Sequence, residues 1–195
     1  MHLFLLLAML LAPPFWETKP PREWNDEDLV RMFNDSPWAQ ATDFRGAAPV
    51  SVYISSAKPM RDAEEEAIRR YTSKQPGRQP PDMGARNEYL AYLDENPGKS
   101  VVLAIRNPNP TALAQAEETK HMEDESYLKA GGKKLKMTGY FPPAPADPVL
   151  RLVFPRPPSQ PKEFTFEIYI PGATGPYRQA SFRLKDLFYR GQPEY

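Results

Sequence analysis

The chain has 195 residues, 25 Lys plus Arg against 25 Asp plus Glu, and no cysteine. Zero net charge leaves no global field to draw in nucleic acid or an anionic membrane, so nucleic acid is not expected as a partner. Without thiols, disulfides, thiolate metal sites, a cysteine nucleophile and lipidation of a cysteine are all excluded, and the fold must be held by packing.

The first element is the unbroken apolar run Leu3–Ala12. At about 1.5 Å per residue it is too short for a bilayer core of roughly 30 Å, and its length suits the apolar core of a secretory signal. Residues 1–15 are read as an export signal or short N-terminal anchor and 16–195 as a single domain, exported to a periplasmic or extracellular setting. The run departs from the usual signal, because no Lys or Arg precedes it and Pro13 and Pro14 follow Ala12, where cleavage is disfavoured. An uncleaved segment would retain the protein at the membrane, with Phe15 and Trp16 suited to the interface. A buried N-terminal helix is the other alternative. No further transmembrane span is expected.

Asn25 is placed to cap a short helix with Asp26, Glu27 and Asp28 in its first turn and Leu29, Val30 and Phe33 on its apolar side. Asn34–Pro37 stops it. Val50, Val52 and Ile54 alternate with polar neighbours as in a strand. Pro59 suits a first helical turn, and Met60–Tyr71 reads as a charged surface helix. A polar, proline-rich loop is expected over Ser73–Asp82. Asn87–Leu93 is a short helix with Tyr89, Leu90 and Leu93 inward, ended by Asn96–Gly98. Val101–Ile105 is apolar at every position, which predicts a central strand covered on both faces. Asn107–Pro110 is a turn, and Thr111–Leu128 reads as one surface helix.

From residue 133 onward the spacing predicts successive strands around Leu135, Leu150–Phe154, Phe164–Ile170 and Ala180–Leu184, with a hairpin at Pro171–Pro176. The 24 prolines cluster between these segments as rigid loops. The expected fold is α+β: one mixed sheet with helices mainly on one face and an antiparallel C-terminal meander.

Chemistry-bearing patterns are few. The two histidines are His2 and His121, no Gly-x-Ser-x-Gly occurs, and His121 lies among Lys120, Glu123, Asp124 and Glu125 as on a solvated helix face. Asn25, Asp26 and Asp28 lack the glycine and distal Glu of a calcium loop, so no catalytic, metal or cofactor residues are assigned. Gly131–Lys134 lacks the spacing and the hydroxyl of a phosphate-cradling loop and reads as a helix stop before a strand. Asp26, Asp28, Asp94, Glu95, Glu117 and Glu118 are available as acid and base for hydrolysis, if a fold brings two of them to one cleft. Lys129, Lys133, Lys134 and Lys136 form a possible binding patch for an anionic polymer, or else guard a sheet edge. Trp16, Trp24, Trp38, Phe33 and Phe44 are either core or a binding surface.

Asp35-Ser36-Pro37-Trp38-Ala39, together with Phe182–Gly191, resembles a group of uncharacterised exported proteins of Acidobacteria. The resemblance implies a bacterial envelope setting and a shared α+β domain, and brings no activity with it. The expectation is an exported non-catalytic domain that binds an envelope protein or an anionic polymer. The alternative is an exported carboxylate-dependent hydrolase.

Overall fold

A computed structural model describes residues 13–44, 46–74 and 82–195. The apolar run 3–12 and most of the loop expected over 73–82 lie outside them. The chain opens with α1 (Phe15–Thr18), a 3-10 turn at Pro21–Glu23 and α2 (Asp26–Asn34). Asn25 caps α2 as its sequence predicts: its Oδ1 accepts from the Asp28 N–H at 2.7 Å, and Asp28 Oδ2 accepts from the Asn25 N–H at 3.0 Å. A hairpin of β1 (Ala39–Phe44) and β2 (Ala47–Ile54) follows, then α3 (Lys58–Ser73), with Pro59 in its first turn, and α4 (Gly84–Glu95). The remainder is β3 (Ser100–Arg106), α5 (Pro110–Leu113), α6 (Ala116–Glu125), β4 (Tyr127–Ala130), β5 (Lys133–Lys136), β6 (Gly139–Phe141), β7 (Val149–Pro155), β8 (Glu163–Tyr169), β9 (Tyr177–Arg183), β10 (Phe188–Tyr189) and β11 (Gln192–Pro193).

The fold is α+β, and its sheets are antiparallel throughout the described residues. In place of one mixed sheet there are two main sheets, ordered β1-β2-β3-β7-β6 and β5-β4-β8-β9, with a small β10-β11 ribbon. The hairpins β1-β2, β4-β5 and β8-β9 are antiparallel by their short turns, whereas β2-β3, β3-β7 and β4-β8 are antiparallel pairs joined by long excursions. Val101–Ile105 is fully buried in the middle strand of the first sheet. The C-terminal strands do not form one meander: β7 leaves them to pair with β3 over its whole length. It is buried on both faces from Val149 to Phe154, so it needs the interior position that β3 offers.

The register sorts the two faces of the first sheet. Tyr53, Ala104 and Arg151 lie in one row facing the helices, where Tyr53 meets Phe33 of α2 at 5.4 Å between ring centroids. Val102 and Val153 lie on the same face and pack with Tyr89, Leu90 and Leu93 of α4. Ile54, Leu103 and Leu152 face the other way, toward the second sheet, with Phe154 and Phe166 in edge contact at 5.3 Å. Helices α2–α4, first sheet and second sheet thus form successive layers, with α6 on the outer side of the second sheet.

Two turns differ from expectation. The helix predicted over Thr111–Leu128 breaks into α5 and α6 and ends at Glu125, because Leu128 and Ala130 alternate with Tyr127 and Lys129 and bury themselves as a strand does. Gly131 and Gly132, with φ of 57° and 79°, are the two-residue turn joining β4 to β5, a conformation that glycine adopts without strain.

The helix layer is pinned by ions. The Arg151 side chain is 0% exposed; its Nη1 donates to Asp147 Oδ2 at 2.5 Å and its Nη2 lies 3.0 Å from Glu64 Oε2 on α3. Tyr53 Oη donates to Glu64 Oε1 at 2.6 Å, and the Arg151 guanidinium covers the Tyr89 ring at 4.7 Å. Burial opposes the Arg151 charge, but Glu64, Tyr53 and Asp147 outweigh it and hold the guanidinium above its ordinary range. Burial, then the Glu64 charge, push the Tyr53 and Tyr89 hydroxyls up. Met60–Tyr71 is therefore no plain surface helix: Glu64 and Glu66 are buried. Glu66 accepts from Arg69 and Arg70, and Arg70 also donates to Asp26 Oδ1 at 2.6 Å, tying α3 to α2.

Arg151→Met should cost about 3–5 kcal/mol in urea unfolding, since it strands two buried carboxylates, and adding Glu64→Gln and Asp147→Asn should restore part of the loss. Hydrogen bonds from Arg69, then Arg70, offset the burial of the Glu66 carboxylate and lower its pKa to about 2. A depressed carboxylate stabilises the fold above its unfolded pKa and stops doing so as pH falls through the folded one. The stability gap between wild type and Glu66→Gln, read from melting curves, should be full at neutral pH and close between about 4.5 and about 2.

Candidate binding surface

The β4–β5 hairpin carries all four lysines singled out in the sequence. Lys129 and Lys134 are cross-strand partners, and Lys136 stands opposite Tyr127. By strand alternation Lys129, Lys134 and Lys136 share the outer face, whereas Lys133 pairs with inward Ala130 and projects at the turn on the other side. The patch is thus three lysines and one outlier. β5 is also the edge of its sheet, where lysines oppose strand addition.

Neighbours absorb part of this charge. Lys129 Nζ lies 2.6 Å from Glu167 Oε1, and Lys136 Nζ 2.9 Å from Asp124 Oδ1. The Lys136–Asp124 hydrogen bond raises the ammonium pKa and lowers that of the carboxyl. Lys134 has no carboxylate partner among the described residues; its Nζ sits 3.8 Å from the centroid of the Tyr127 ring.

The same outer face continues onto β8 and β9. Lys136, Tyr127, Glu167 and Gln179 form one cross-strand row, and Lys134, Lys129, Thr165 and Ser181 the next. α6 packs on the far end, where Tyr169 Oη donates to Glu118 at 3.1 Å and His121 Nδ1 lies 2.9 Å from Glu125 Oε1. Tyr177, 55% exposed, donates from its Oη to Glu125 Oε2. Between α6 and the open rows lies a groove of about 560 Å³ lined by Glu125, Tyr127, Lys134, Glu167, Tyr177 and Gln179. Two tyrosine rings with hydroxyl, amide, ammonium and carboxylate groups around them can stack on and hydrogen-bond a polar chain.

Tyr127, Glu167, Tyr177 and Gln179 were not among the predicted site residues. Assigning Tyr127 to a helix hid it, although the alternation Tyr127-Leu128-Lys129-Ala130 is present in the sequence. The other candidate groups have structural tasks. Trp24 and Trp38 are 1% and 0% exposed, and Phe15, Trp16 and Phe33 are buried with them, so the described part of the aromatic N-terminal region is core and Phe15 and Trp16 are not free for a membrane interface. The Phe44 side chain lies outside the described parts.

The six carboxylates considered for hydrolysis stand as sequence-local pairs at three helix ends, the starts of α2 and α6 and the end of α4. Asp26 pairs with Arg70, Asp28 caps α2 and meets Lys19 at 3.0 Å, Asp94 and Glu95 close α4, and Glu118 holds Tyr169 and the Gly172 N–H. Among the described residues, no group of three or more His, Asp or Glu is placed to hold a metal ion, and no helix is long and apolar enough to cross a membrane. No family model, curated protein or solved structure matches the chain. Its chemistry has to be argued from its own residues.

The Glu125 hydrogen bond raises the pKa of His121 above 6.5, with smaller help from the Glu125, Glu117 and Glu118 charges. Its pairing therefore stabilises most at lower pH and fades as pH rises through the raised value. An NMR titration should find His121 above 6.5 in the wild type and closer to it in Glu125→Gln.

Proposed function

We propose that this is an exported, non-catalytic domain of the cell envelope that binds an envelope partner or anionic polymer on the open face of the β5-β4-β8-β9 sheet. The reading rests on the groove beside Lys134, where an ammonium without a carboxylate partner among the described residues stands over the half-buried Tyr127 ring and exposed Tyr177 lines the same groove. The export run and the resemblance to exported acidobacterial proteins support the envelope setting. The carboxylate-dependent hydrolase is the weaker reading, because Glu64 and Asp147, which line one cavity, are both clamped on Arg151.

Replacing Lys133, Lys134 and Lys136 with Gln should abolish low-salt retention on an immobilised sulfated polysaccharide, and salt should mimic the loss in the wild type through screening. Tyr177→Ala, which leaves the charge intact, should weaken retention further than salt alone. Unchanged retention with increased aggregation would assign the lysines to edge protection and reject the proposal.

A further inference from the structure

A second cavity, of about 290 Å³, lies on the helix side of the first sheet, between α3, the residue preceding α4 and residues 146–149. It opens on the face of the first sheet turned away from the second sheet, which carries the lysine hairpin. Phe33, Ile68, Tyr71 and Met83 provide apolar walls, and Glu64, Asp147, Arg106 and Asn107 are the polar groups that reach it. At about 30 Å³ per water-sized group it has room for about ten, the size of one ring with a short chain.

The two carboxylates are already neutralised. Both face Arg151, and Arg86 Nη2 lies 3.7 Å from Glu64 Oε2. Arg106 is different. It is partly exposed at the end of β3, its guanidinium lies 4.9 Å over the Phe33 ring, and it has no carboxylate partner among the described residues. Arg151 and Arg86, behind the wall, thus match the two lining carboxylates, and Arg106 is the lining charge left without an opposite partner among the described residues. Asn107 follows in the left-handed region at φ 51°, which Asn tolerates, and its N–H donates to the Pro148 carbonyl at 2.9 Å. That bond fixes the end of β3 against the far wall and holds Arg106 at the cavity.

We infer that this cavity binds a small organic monocarboxylate with an apolar body, its head on Arg106 and Asn107 and its body against Phe33, Ile68, Tyr71 and Met83. A guanidinium can take a carboxylate through two parallel N–H donors, and it does so more strongly where the surroundings exclude water. The apolar walls favour a ring or short chain, and the Arg106 guanidinium, without an opposite partner, selects against the corresponding amine.

The test is calorimetric titration of the full chain with 4-phenylbutyrate, 4-phenylbutanol and 4-phenylbutylamine, which share a body and differ in head. The carboxylate should bind about tenfold more tightly than the alcohol, and the amine most weakly. Arg106→Gln should reduce the carboxylate to the level of the alcohol, Tyr71→Ala should weaken both, and Lys134→Gln should change neither. The ranking on the wild-type chain does not depend on how any variant folds. An amine that binds as well as the carboxylate, an Arg106→Gln chain with undiminished affinity, or no binding of any of the three at millimolar concentration would overturn the inference.

Discussion

The layers of this fold are joined at Arg151. A guanidinium with no solvent exposure on an interior strand would be prohibitive alone, so its presence requires that Glu64 of α3 and Asp147 come to it with defined geometry. The apolar contacts around it specify proximity and little more. The ions specify which turn of α3 lies over which residue of β7, and Tyr53 and Tyr89 fill the space between. Because Asp147 also lines the cavity bounded by Arg106, the cluster that orders the helix layer shapes the recess in which Arg106 stands without a carboxylate partner among the described residues.

The second sheet is positioned by the chain's passage between layers. After β5 the backbone leaves the β4 edge at Met137, whose N–H donates to Ser126, and joins β7 through Thr138, whose N–H donates to Val153 at 2.9 Å. At the opposite edge, Gln40 of β1 donates to the Ser181 carbonyl of β9 at 2.9 Å. The inner face of the second sheet is therefore closed against the first, and its outer face is left to Lys, Tyr, Thr, Ser and Gln. An antiparallel sheet with one solvated face is the ordinary outcome of such packing, and on this one the open face meets α6 in a groove.

Much of this was legible wherever periodicity agreed with burial. The capped α2, the fully apolar β3 and the alternating β8 and β9 read directly, because each follows one spacing without interruption. Arg151 broke the pattern: a charged residue between Leu150 and Leu152 mimics a half-exposed strand, whereas its charge is satisfied from elements 87 and 4 residues away in the chain. Glu64 misled in the same way, although Met60, Ala63 and Ala67 mark its side of α3 as inward. The lysine patch was visible as composition, but its division between two faces follows from the Gly131–Gly132 turn, which spacing alone had assigned to the end of a helix.

The two segments that carry the resemblance to exported acidobacterial proteins meet in space. Trp38 stacks edge-on against Tyr189 at 6.4 Å and donates from its indole to the Glu194 carbonyl at 2.8 Å. Trp16 lies against Trp38 at 6.1 Å, and Phe15 bridges Trp16 and Trp24 at 5.0 and 5.5 Å. These rings join the first described helix to the last strands, so the motif is explained by packing and needs no ligand. The same chain of contacts makes the start of the described chain part of the core. The folded body already includes Phe15, immediately after Pro13 and Pro14, so loss of Phe15 and Trp16 would take ring partners from both Trp24 and Trp38 and open the core between the first helix and the last strands.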